Sequence, residues 1–144
     1  MDRSTVPDQG GFRHAVGSLA IDSGRVELRA GQHAWTLDEP TALGGNGAAP
    51  DPITAFLGSL CGCLLMSLEI TARARKIPLA GASVSARSNI KGFVKTIDVD
   101  LTVHSPASEE TVRTVVTRAE KGCYVRGLLK DSIAYSLNVT VLPA

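Results

Sequence analysis

The chain has 144 residues, with 15 Lys and Arg against 14 Asp and Glu, a formal net charge of +1, and 44% hydrophobic and 20% charged residues. That length is enough for one domain with its own core, and the near-neutral charge leaves no electrostatic footprint for nucleic acid or an anionic membrane. Six scattered aromatics (Phe12, Trp35, Phe56, Phe93, Tyr124, Tyr135) make no stacking platform, and the composition excludes a collagen-like fibre and a disulfide-rich secreted scaffold.

Residues 1–144 read as a single domain in which Met1 to about Gly11 is a loose tail without the apolar centre of a secretory signal. Val26 and Leu28 then alternate with Arg25, Glu27 and Arg29, and a second strand runs from His33 to Leu37 after the Ala30-Gly31 turn. Glu39 to Pro50, with three glycines and two prolines, reads as a loop. Asp51-Pro52 opens a helix with Asp as N-cap and Pro at the first position. It continues to about Ala74, apolar or small on every side over its first two-thirds, and is expected to be a buried central helix. Its strongest apolar run, Ala55 to Met66, is about half the ~20 residues a bilayer span requires, so the expectation is a soluble, cytoplasmic protein without a membrane segment.

Two alternating strands follow, carried by Ala82, Val84 and Ala86 and then by Ile97, Val99, Leu101 and Val103. Ser105-Pro106 is expected to open a second helix, on which Val112, Val115, Val116, Ala119 and Cys123 share a stripe. Gly122 interrupts it, leaving Cys123 near the start of a short helix through Leu129. Ile133 to Val141 forms the last strand. The order predicts an α+β fold, a long central helix packed on an antiparallel sheet.

Most candidate sites fail on detail. The Gly44-Gly45-Asn46-Gly47 loop lacks both the last glycine of a dinucleotide fingerprint and the Gly-Lys-Ser/Thr of a phosphate loop, and reads as plain flexible loop. His14, His33 and His104 have no metal-ligand spacing. No GxSxG elbow supports a serine nucleophile. The cysteines carry more. Cys61 and Cys63, two apart on a helix, point about 200° away from each other and cannot face one partner together. That argues against a Cys-x-Cys metal clip or a vicinal redox pair and leaves two readings: core filling, or one of them paired with Cys123.

DPITAFLGSLCGCLLMSLEI resembles the central-helix motif of the osmotically inducible protein C and organic hydroperoxide resistance (OsmC/Ohr) family, with Cys63 eleven positions after Pro52. AEKGCYVRGLLKDSIAYSLNVTV is similar to that family's second motif and places Cys123 as its second cysteine. DEPTALGGNGAAPDP looks like its Asp-x-Pro and Gly-Gly loop. The resemblance runs from about Gly24 to Val141. It implies an intertwined homodimer acting as a thiol-dependent peroxidase on organic hydroperoxides. Cys63 would be the peroxidatic cysteine and Cys123 the resolving one, with a Cys63–Cys123 disulfide re-reduced by an external thiol or dithiol, and no metal, haem or flavin. An arginine from the N-terminal strands is implied as well, Arg25 or Arg29. Ile53 and Thr54 stand where the family has its partner glutamate, and Cys61 occupies a small-residue slot and receives no role. Phe56 and Leu60 would line an apolar substrate pocket. The alternative reading is an OsmC-like binding protein for small apolar or electrophilic molecules.

Overall fold

A computed structural model describes residues 13–144. The tail expected over Met1 to Gly11 lies outside the described residues. The chain forms two compact units, one ending at Phe56 and the other spanning Leu57–Ala144.

The first unit is an antiparallel sheet of β1 (Val16–Ala20), β2 (Arg25–Ala30) and β3 (His33–Asp38), in that order. β1 gave no signal in the sequence, because all five of its residues are exposed and no face alternates. β2 behaves as its pattern predicts: Val26, Leu28 and Ala30 are half-buried while Arg25, Glu27 and Arg29 face solvent. The glycine-rich loop after β3 is held, contrary to the expectation of a flexible connection. Asp38, 2% exposed, accepts hydrogen bonds from the backbone N–H of Asn46 (3.3 Å) and Ala48 (3.0 Å), so its carboxylate ties the loop from inside. Gly45 packs so close to Glu39 that a Cβ there would overlap the Glu39 carbonyl oxygen.

α1 spans Pro52–Ala74, one residue after Asp51, as the Asp-Pro pair predicts. Asp51 Oδ1 accepts from the N–H of Ile53 (2.9 Å) and Thr54 (3.0 Å), and Oδ2 from Thr54 Oγ1 (2.9 Å), which satisfies donors a helix start leaves open. By length and a mean hydropathy of 1.8, α1 could cross a membrane, which the unbroken apolar run alone understates. A core helix meets the same criteria. Leu60, Leu64, Leu68 and Ala72 recur every four residues and are fully buried. The helix is not covered on all sides within one chain, however: Met66 is 68% and Ile70 63% exposed.

The second unit adds β4 (Gly81–Arg87), β5 (Thr96–Ser105), α2 (Glu109–Lys121), α3 (Tyr124–Gly127) and β6 (Ala134–Pro143). β5 is the central strand of order β4-β5-β6. It turns Ile97, Val99, Leu101 and Val103 into a core shared with Val112, Val115, Val116 and Ala119 of α2. Its other face is polar. Asp100 receives Arg87 (2.7 Å) and Asn138 (3.0 Å), and Asp98 receives Ser136 (2.7 Å), pinning the register of all three strands. β4 and β5 are antiparallel as expected, but β6 runs parallel to β5. The α2–α3 crossover returns the chain to the end where β5 began, which a parallel neighbour requires. α2 also starts later than Ser105-Pro106 suggested. Ser108 is its N-cap, accepting from the Thr111 N–H at 3.2 Å. Ser105 is buried and donates to the Pro78 carbonyl at 2.6 Å.

Candidate thiol site

Positions 60, 64 and 68 of α1 form the core stripe, so position 63 points to one side of it and position 61 to the other. Ser67, one turn after Cys63, donates to the Ala119 carbonyl of α2 at 2.6 Å, which fixes that side of α1 against the C-terminal end of α2. α2 breaks off at Gly122, and Cys123 caps the one-turn α3. The chain therefore delivers Cys123 to the side of α1 that carries Cys63, where the two thiols are close enough to interact. Both are free; Cys63 is half-buried and Cys123 is 3% exposed.

The surroundings of Cys123 act in opposite directions. Burial pushes its thiol above the ordinary cysteine value, the nearby backbone N–H groups of Arg126 and Val125 pull it back, and the neighbouring Cys63 thiol pushes it up again. Cys61 lies elsewhere. Its thiol is half-buried, pushed up by that burial and pulled back by the backbone of Ala86 on β4.

Behind Cys123 stands a cluster that the sequence did not disclose. The Arg126 guanidinium carbon lies 3.9 Å from the centre of the Tyr135 ring, and Arg126 Nε is 4.0 Å from Glu120 Oε1. Burial, with Glu120 beside it, pushes the Tyr135 hydroxyl up to about 12. Arg126 Nε and Tyr135 Oη are buried without a hydrogen-bond partner. Tyr135 reads in sequence only as one apolar position of the final strand. Nothing local signals that the parallel β6 brings it under α3.

The other residues singled out from sequence fall on separate elements. Arg25 and Arg29 are exposed on one face of β2 in the first unit, and Arg25 stands opposite Asp38 in the ladder. Phe56 is half-buried at the end of that unit. Leu60 is fully buried and taken up by the core. Thr54 is committed to the Asp51 cap. His14, His33 and His104 are exposed, and among the described residues no three His, Cys, Asp or Glu side chains cluster as metal ligands.

A family model described as OsmC-like protein matches residues 44–138, a span that includes the glycine loop, α1 and both cysteines of the pair. The chain belongs to the OsmC-like family. It is 26% identical over 102 residues, 63% of this chain and 70% of the relative, to a hydroperoxide reductase of Mycoplasma genitalium. Its fold resembles that of an OsmC-like protein from Mycoplasma pneumoniae, with a TM-score of 0.77 at 21% identity over 96% of this chain and 99% of the other. It also resembles an organic hydroperoxide resistance protein OsmC from Legionella pneumophila, with a TM-score of 0.66 at 21% identity over 92% of this chain and 99% of the other. Long helix, sheets and paired thiols in this OsmC-like protein thus sit on a fold shared with hydroperoxide resistance proteins.

Proposed function

We propose that this OsmC-like protein reduces organic hydroperoxides with its own thiols. The observation that carries the reading is the approach of Cys63 and Cys123, two free thiols from separate elements that lie close enough to interact. In the cycle, the Cys63 thiolate attacks the distal peroxide oxygen. The O–O bond breaks, the alkoxide leaves and takes a proton as alcohol, and Cys63 becomes a sulfenic acid. The Cys123 sulfur then displaces hydroxide, which leaves as water, and a Cys63–Cys123 disulfide forms. An external thiol or dithiol returns both sulfurs to thiols and is itself oxidised to a disulfide. No step draws on a metal, haem or flavin.

The resemblance assigns to Arg25 or Arg29 the guanidinium that stabilises a thiolate and holds the peroxide, and to Phe56 a part in an apolar lining that favours alkyl hydroperoxides. The protein works as a homodimer in the cytoplasm, whose reducing poise keeps its three cysteines free between turnovers. The exposed Met66 and Ile70 on α1 and Tyr124 and Leu128 at α3, 88% and 75% exposed, support an apolar face for a second copy. A monomeric mass by light scattering at micromolar concentration would refute the dimer.

The deciding experiment is peroxide consumption by the purified protein with a thiol or dithiol reductant, comparing tert-butyl hydroperoxide with hydrogen peroxide. Turnover that prefers the organic peroxide and disappears in Cys63→Ser is the expected result. Stoichiometric binding of small apolar or electrophilic molecules without consumption would replace this reading with a binding protein.

A further inference from the structure

We propose that the tip of the β4–β5 hairpin docks on anionic phospholipid membranes, with Ile90 and Phe93 entering the headgroup layer and Lys91 and Lys95 meeting lipid phosphates.

The whole-chain charge of +1 conceals a local excess. From Arg87 to Lys95 the chain carries three cations and no acid. Arg87 is committed to Asp100 at 2.7 Å. Lys91 and Lys95 are exposed, and neither has an ion-pair partner among the described residues. Asp98, the acid nearest in sequence, lies on the sheet and accepts from Ser136 at 2.7 Å. The neighbouring connection into β6 adds Lys130 and Asp131, whose charges cancel. The tip is left positive.

Beside these lysines the hairpin presents two large apolar side chains, Phe93 at 88% and Ile90 at 54% exposed. Phe93 also has φ 71, a left-handed conformation that bulky residues rarely adopt. Its ring gains no cover within the chain in exchange, so the fold does not account for a phenylalanine there.

The turn itself is held. The Phe93 N–H donates to the Ile90 carbonyl (3.1 Å), the Lys91 N–H to Asn89 Oδ1 (2.9 Å), and Ser88 Oγ to the Thr96 carbonyl across the base (2.7 Å). A bond from residue i to i+3 brings Ile90 and Phe93 close together at one turn. Because the Lys91 and Phe93 N–H groups are satisfied inside the turn, entry into a less polar layer orphans neither of them. The Lys95 carbonyl accepts from the Ala134 N–H (2.9 Å), which ties the base of the tip to β6.

Size and charge select the occupant. A stable protein contact covers about 800 Å² on each partner, and one turn with two apolar side chains offers a fraction of that. A bilayer asks for less. An aromatic ring settles at headgroup level, and each lysine near an anionic surface strengthens attachment about fivefold.

The test is sedimentation of the whole chain with vesicles of phosphatidylcholine, alone or with about a third phosphatidylserine. Partition onto the anionic vesicles is expected to be about twentyfold stronger, from two lysines at about fivefold each. Phe93→Asn keeps the turn, since asparagine accepts the left-handed conformation more readily, and is expected to weaken binding about tenfold without lowering the thermal midpoint. Lys91→Gln with Lys95→Gln is expected to bring anionic vesicles down to the level of phosphatidylcholine. No preference for anionic vesicles, or undiminished binding in either variant, overturns the proposal. A lowered midpoint in Phe93→Asn would mean that the ring serves the fold, and a smaller mass by light scattering would mean that the tip contacts a second copy; either result also refutes membrane docking.

Discussion

Replacing Gly45 by Ala separates backbone close approach from backbone strain. A Cβ at Gly45 would overlap the Glu39 carbonyl oxygen and stand 2.6 Å from the Glu39 carbonyl carbon and 2.7 Å from Asp38 Oδ1. The obstructing atoms are mainly backbone. Glu39 is itself fixed by its N–H bond to the Gly24 carbonyl (3.1 Å) and by accepting from Gly47 (3.1 Å), so the glycine loop has to lift. Lifting it breaks the bonds from Asn46 and Ala48 to the buried Asp38 carboxylate. Hydrogen bonds to a charged group contribute about 1.5–3 kcal/mol each, and Gly45→Ala is therefore expected to cost about 3–6 kcal/mol, a large part of the ~5–15 kcal/mol that holds a typical domain. Gly44 is the control next door. It has φ +94 but nothing within 4 Å of a would-be Cβ, so Gly44→Ala carries only the left-handed penalty of about 1–2 kcal/mol. Urea unfolding of wild type and both variants gives the comparison. Equal midpoints for the two variants, or a Gly45→Ala cost below about 1 kcal/mol, would refute the account of the loop as a structure held from inside by Asp38.

Asp51→Ala is expected to lose about 1 kcal/mol as the cap of α1 goes. Hydrogen bonds from the Thr54 backbone and side chain hold the Asp51 carboxyl below the ordinary carboxylate range. Its contribution is therefore present above that range and lost as pH falls through its lowered folded value; thermal unfolding should show the wild type and Asp51→Ala converging in acid, and a constant gap would contradict this. Cys61→Ser is expected to leave peroxide-driven disulfide formation nearly intact, while Cys123→Ser should accumulate a Cys63 sulfenic acid that proceeds to sulfinic acid. Mass spectrometry distinguishes these outcomes, and a Cys61–Cys123 bridge in oxidised wild type would overturn the assignment. Arg25→Ala and Arg29→Ala should differ, one slowing Cys63 alkylation at least tenfold; equal, unperturbed rates in both would remove the arginine from the mechanism.

What the sequence disclosed depended on whether the signal was local. The Asp51-Pro52 start of α1, its uninterrupted run to Ala74 and the Val112, Val115, Val116, Ala119 stripe of α2 are periodic within one element, and the structure keeps all three. The pairing of Cys63 rather than Cys61 with Cys123 was half legible. Helical rotation separates the two neighbours, but only the packing of Ser67 on Ala119 says which side of α1 faces α2. Strand period 2 reveals which face of β6 is wet and says nothing about direction. The parallel pairing of β6 was therefore invisible, and with it went the stack of Arg126 on Tyr135, which exists because residue 135 opposite Ile97 lies where the crossover ends. The same reasoning explains Asp38. In a strand pattern a terminal Asp is a solvated residue, and here it is buried because Gly45 allows the loop to fold over it. Both misses are cases where one residue's role is set by a backbone segment distant in sequence. Arg126 and Tyr135, in the surroundings of Cys123, belong to that class, and for that reason those surroundings can be reasoned about only once the fold is in hand.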